Sequence, residues 1–136
     1  MRKLVYPACF YAAEENEEGY TVVFPDLPGA VTEGDTLEEA IEMAIDCASG
    51  WILSSIEAGE EIPTPSKIKK IKIGKKEGFV TYIILDIDEY SKLHGNKSVK
   101  KTVTLPSYLN TLAERANINF SEVLQDGLKE RLILDK

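Results

Sequence analysis

The chain has 136 residues, 43% of them apolar and 29% charged, and its 16 basic and 23 acidic side chains give a net charge of −7. That size suits one domain, or one domain with a small appendage. No apolar run approaches the roughly 18 residues of a membrane span, and the N-terminal MRKLVYPACFYAAEE lacks the apolar centre of a signal peptide, so a cytoplasmic protein without membrane contact is expected.

Cys9, Cys47 and the lone His94 share no metal-ligand spacing, so no metal or other cofactor is expected, and both thiols read as small buried apolar groups. The charge is unevenly placed. Residues 1–66 carry 2 basic and 14 acidic groups, residues 67–90 carry 6 and 4, and residues 91–136 carry 8 and 5. An acidic front repels nucleic acid and attracts a basic partner, while the mildly basic rear can approach phosphates.

Segments 4–13 and 20–24 are rich in β-branched and aromatic residues and are joined by ENEEGY, which predicts an antiparallel hairpin. In FPDLPG, Pro25 and Pro28 deny the sheet amide donors and Gly29 permits a positive φ, so the chain turns out of the ladder. Val31 and Thr32 suit a short third strand. From Asp35 the period becomes helical: Leu37, Ala40, Ile41, Ala44, Ile45, Ala48, Trp51, Ile52 and Ile56 form one stripe over about six turns. Asp35 or Thr36 can cap this helix, and Gly59 with Pro63 and Pro65 ends it. Two more strands are expected at 67–73 and 79–87, the first at a lysine-protected edge and the second central or covered on both faces. The front domain is thus an α+β unit of order β-β-β-α-β-β over residues 1–88.

Residues 89–97 lose periodicity and read as a linker. The remaining 98–136 are too few to fold alone without a disulfide, metal or partner, so this tail must oligomerise or dock. In KSVKKTVTLP the side chains alternate, Val99, Lys101, Val103 and Leu105 against Lys100, Thr102 and Thr104. Pro106 stops that strand. Tyr108, Leu109, Leu112 and Ala116 mark one helix; after a break at 117–119, Asn119 and Glu122 make a capping-box-like start for a second, with Val123, Leu124, Leu128 and Leu132 on its apolar face.

The tail TVTLPSYLNTLAERANINFSEVLQDGLKERL resembles a ribbon-helix-helix module of the Arc and MetJ type, which pairs two strands into a ribbon that enters the DNA major groove. The resemblance implies a homodimer, or a tetramer built from two, with Val99, Val103, Leu105, Leu112, Val123, Leu124 and Leu128 at the dimer interface. It also implies that Lys100, Thr102 and Thr104 read operator bases, and that the Phe120 and Ser121 amides, aided by the Asn119 cap, hold phosphate.

FPDLPGAVTEGDTLEEAIEMAIDCASGW resembles the HicB antitoxin family through Pro25, Asp26, Leu27, Pro28, Gly29, Gly34, Asp35, Thr36, Glu38, Glu39, Ala40 and Trp51. The resemblance implies a partial ribonuclease H-like front domain that blocks a small basic HicA-type messenger-RNA-cleaving toxin, and a rear domain that represses the shared operon. Glu14, Glu15, Glu17, Glu18 and Asp26 are the candidate toxin contacts. A metal-dependent nuclease would need several carboxylates converging on magnesium. Asp26, Asp35, Asp46 and Asp86 have simpler roles in a turn, a cap, a solvated helix face and a strand end, so no enzyme is expected. A stand-alone regulator with a HicB-like sensing domain is the alternative, and a pure interaction module a third reading.

Overall fold

In the computed structural model, residues 3–14, 18–74, 77–95 and 98–134 are described, and the chain divides into two compact units, Lys3–Gly95 and a second containing Asn96–Lys136. The first contains strands β1 (Leu4–Ala12), β2 (Tyr20–Val23), β3 (Val31–Gly34) and β4 (Gly78–Leu85), with helices α1 (Leu37–Glu57) and α2 (Ile87–His94). The strands form one antiparallel sheet of order β3-β2-β1-β4. Register puts Tyr6 opposite Ile83, Phe10 opposite Val22 and Phe79, and Tyr20 opposite Gly34. Partners in an antiparallel ladder share a face, so these residues line one side.

Helix α1 covers that side. A Cβ on Gly34 would lie 2.3 Å from the Ala40 backbone nitrogen, so only glycine lets β3 meet the helix start so closely. Thr36 caps the helix, its hydroxyl accepting from the Glu39 amide at 3.1 Å, with Glu38 and Glu39 in the first turn where the dipole favours carboxylates. The buried stripe is narrower than periodicity predicts. Ala40, Ala44, Ala48 and Ile52 are buried, whereas Leu37, Ile41, Ile45 and Ile56 remain more than a third exposed. Small residues bring the helix axis down on the sheet, which leaves the larger ones at the flanks. Tyr6, Phe10, Phe24, Leu27, Ile52 and Leu85 fill the core, each large apolar side chain adding about 1.5–3 kcal/mol when fully buried.

Three expectations need correction. Residues 67–73 form no strand; they contain a single 3-10 turn, Ile68–Lys70, with Lys70 and Ile71 amides donating to Lys67 and Ile68 carbonyls. Side-chain ties set this course instead of a ladder: the Tyr6 hydroxyl donates to the Pro63 carbonyl, Ser66 donates to Asp26, and the Ile68 amide donates to the Tyr82 hydroxyl. Without that fifth strand, β4 is an edge rather than a central strand, and Phe79, Tyr82 and Ile84 are exposed. Finally, 89–97 is not a linker throughout, because α2 occupies it as far as His94. Asp86 caps α2 by accepting from the Glu89 amide at 3.0 Å.

The second unit contains an extended run from Ser98 to Leu105, then helices α3 (Ser107–Arg115) and α4 (Phe120–Leu134). Asn117, at φ 54°, turns the chain between them, and the Asn119 side chain accepts from the Glu122 amide at 3.1 Å to start α4. No residue from 98 to 132 is buried.

Candidate protein and nucleic-acid interfaces

The two units present opposite chemistry. In the second, extended residues alternate lysine or threonine with valine or leucine, and 98–105 has no strand partner among the described residues. All seven residues expected at a dimer interface are exposed, from Leu124 at 41% to Val99 at 87%. Apolar residues at helical spacing on two short helices, none of them covered, leave this unit without a core of its own. Lys100, Thr102 and Thr104 are also exposed, as a reading face requires. At the start of α4 the Glu122 and Val123 amides are taken by the Asn119 side chain and carbonyl, while helix geometry gives the preceding Phe120 and Ser121 amides no intrahelical acceptor. That turn can hold an anion.

In the front unit, the Ala13 amide donates to the Gly19 carbonyl at 3.0 Å and closes the β1–β2 connection, which leaves Glu14 and Glu18 exposed beside it. Glu15 and Glu17 lie outside the described residues. Glu14 and Glu18 line a groove of about 860 Å³ together with Glu33, Asp35 and Glu77, and among the described residues none of its lining is basic. Sequence reasoning missed the last three. Glu33 was within reach of it, because pairing β3 with β2 sets Glu33 opposite Thr21 at the hairpin end.

Asp26 does not join this groove. Its half-buried carboxylate accepts from the Ser66 amide at 2.9 Å and the Ser66 hydroxyl at 2.6 Å, so it fastens the segment after α1 to the FPDLPG turn. In the same turn the Trp51 indole donates to the Pro28 carbonyl at 3.0 Å. These two contacts give the turn and the helix aromatic a shared structural role.

The other carboxylates considered for a nuclease divide between two places. Asp86 caps α2, Asp46 lies near it on α1 and Asp35 lines the groove. Among the described residues no group of three or more His, Cys, Asp or Glu could hold a metal ion. Burial pushes the Cys9 and Cys47 thiols up from their ordinary range, and both are free. A protonated, sheltered thiol is a small apolar filler rather than a nucleophile. No helix is long and apolar enough to cross a membrane among the described residues.

The fold and sequence have counterparts among known proteins. Residues 6–126 match the model of the HicB_like antitoxin of bacterial toxin-antitoxin systems. A 68-residue stretch, half of this chain, is 41% identical to antitoxin HicB 1 of Photorhabdus laumondii and spans 43% of that relative. Among solved structures, a chain of a toxin-antitoxin complex from Streptococcus pneumoniae is 26% identical, with a TM-score of 0.62 over 96% of this chain and 99% of that one. The Burkholderia pseudomallei antitoxin HicB shares the fold at 21% identity, with a TM-score of 0.54 over 95% of this chain and 98% of that one.

Proposed function

The chain belongs to the HicB-like antitoxin family of bacterial toxin-antitoxin systems, and we propose that it neutralises a small basic HicA-type ribonuclease toxin through its front unit and represses its own operon through its tail. The observation that carries this reading is the division of chemistry between the units. One presents a groove lined by five described carboxylates, and the other presents uncovered apolar helices after an extended Lys and Thr run. A ribonuclease that grips RNA phosphates is basic, so an acidic surface competes for its RNA-binding face and speeds encounter. Glu14 and Glu18, with Glu15 and Glu17, are the toxin-facing groups in this reading, and Asp26 supports the FPDLPG turn at the other end of β2.

The tail pairs with that of a second copy, which buries Val99, Val103, Leu105, Leu112, Val123, Leu124 and Leu128 and joins two strands into a ribbon. Lys100, Thr102 and Thr104 then face operator bases, while Asn119, Phe120 and Ser121 hold the backbone phosphate. Inhibition is occlusion and needs no chemistry from this chain.

Co-purification with the product of the neighbouring gene, followed by a gel shift on upstream DNA at two salt concentrations, tests both halves. A retained basic ribonuclease that loses activity, and a salt-sensitive shift, are expected. A shift without a toxin partner would instead favour a stand-alone regulator.

A further inference from the structure

A notch lies between α1 and α2. It has a volume of about 390 Å³, and Glu42 and Asp46 from α1 and Asp86 and Glu89 from α2 and its cap contribute to its lining. Beside them lies Ser49, 2% exposed, whose hydroxyl is the one buried side-chain polar atom without a hydrogen-bond partner among the described residues. Such an atom is costly to leave unmatched, and a donor or acceptor from outside the chain would remove that cost. Ile45, Ile84 and Leu93 supply apolar wall, and Ile84 and Leu93 are among the most exposed aliphatic side chains of the front unit, at 60% and 76%.

Tyr90 lines the notch from α2, and burial followed by the Asp46 charge pushes its ionisation up, so the phenol stays protonated. A Cβ on Gly50 would sit 3.1 Å from that hydroxyl, so glycine gives the tyrosine its seat. The two carboxylate oxygens of Asp46 can accept several donors, and Glu42 has no hydrogen bond or ion pair among the described residues. Glu89 pairs loosely with Lys92 at 3.6 Å. Lys3 and His94 are the other titratable groups at the rim.

An apolar stem-sized wall, carboxylates at the rim and an unmatched hydroxyl beside them fit one chemical group: a planar cation with several donors on an aliphatic chain. We propose that the notch receives a single arginine side chain of the basic protein partner. The proposal rests on the antitoxin reading, and it assigns the lasting anchor to this notch and the long-range attraction to the hairpin groove. Arginine fits better than lysine because its fork of five donors can serve Ser49 and two carboxylates together, while its stem lies on Ile45 and Leu93.

The full-length chain is titrated with n-butylguanidinium, and its affinity for the neighbouring-gene ribonuclease is measured in parallel. Saturable methyl shifts at Ile45, Ile84 and Leu93 are expected, stronger than with n-butylammonium and lost in the double variant Glu42→Gln, Asp46→Asn. The same variant is expected to bind the ribonuclease about tenfold more weakly through faster dissociation. Glu57→Gln with Glu61→Gln, an equal loss of charge on exposed residues outside the notch, is expected to change affinity by less than about twofold. Ser49→Ala alters no charge and is expected to weaken binding with an unchanged salt slope; unchanged binding by Ser49→Ala overturns the role given to the hydroxyl. Equal losses in the two double variants, or absent methyl shifts, overturn the notch while leaving the antitoxin reading intact. Shifts by the guanidinium probe without any effect of the notch variants on the ribonuclease also overturn the proposal. A wild-type chain that neither binds nor inhibits the ribonuclease overturns the reading and the notch with it.

Discussion

Asp26 belongs to the turn that carries much of the family resemblance, and its role is decidable by one substitution. Its carboxylate accepts two hydrogen bonds from Ser66, at 2.6 and 2.9 Å, across a separation of 40 residues. Hydrogen bonds to a charged group contribute roughly 1.5–3 kcal/mol each, and water replaces part of that at a half-buried site. Asp26→Ala should therefore cost about 2–3 kcal/mol in total. For a unit of this size each kcal/mol shifts Tm by about 4–8 °C, so the front unit should melt about 8–24 °C lower. Ser66→Ala removes only the hydroxyl bond and should cost about 1 kcal/mol. The double variant should be little worse than Asp26→Ala, because the two residues share one interaction. Calorimetry on the full chain reads these shifts, and toxin affinity measured well below the lowered Tm reads contact. An Asp26→Ala variant that melts like the parent yet loses the toxin would refute the structural role and restore Asp26 as a contact residue.

Other outcomes follow from the same geometry. Gly34→Ala places a methyl carbon 2.3 Å from the Ala40 nitrogen, and because backbone rather than a side-chain tip is struck, a loss of about 1–3 kcal/mol is expected by denaturant titration. Cys9 and Cys47 have thiol ionisation raised in the folded state. Their contribution to stability is thus complete below the ordinary thiol pKa of about 8.5 and is lost as pH rises through the higher folded values; unfolding midpoints that climb over that interval would contradict it. Alanine at Lys100, Thr102 and Thr104 together should abolish the operator shift while leaving toxin inhibition intact. Lys100→Ala should flatten the salt dependence by about one charge if that lysine touches phosphate and should relax base preference if it reads a base.

The elements with a strong period were legible in the sequence. The β1–β2 hairpin, β3, the long helix with its Thr36 cap, and the α3 and α4 pair broken at Asn117 all follow from spacing and capping residues. The misses share a cause. Ile68, Ile71 and Ile73 alternate with lysines as an edge strand would, but whether a strand forms depends on a free ladder beside it, and the Ser66 to Asp26 tie directs the segment elsewhere. Helix α2 spans only 8 residues with few apolar groups, so periodicity could not reveal it, although Asp86 followed three residues later by Glu89 is its capping signal. On α1 the distinction between alanines that pack and isoleucines that flank is set by the distance between helix and sheet, which no hydropathy pattern encodes. For the candidate sites, the charge division between the halves was readable from composition. The convergence of Glu33, Asp35 and Glu77 on the hairpin carboxylates required the register of β3.

In the proposed function the tail acquires its core only from a second copy. Sedimentation equilibrium of the whole chain at micromolar concentration tests this most directly. A mass of two or four times 15.1 kDa is expected, falling to one when Leu128→Glu puts a charge among the apolar residues of α4. A wild-type chain that sediments at 15.1 kDa, with α3 and α4 still protected from amide exchange, would contradict it.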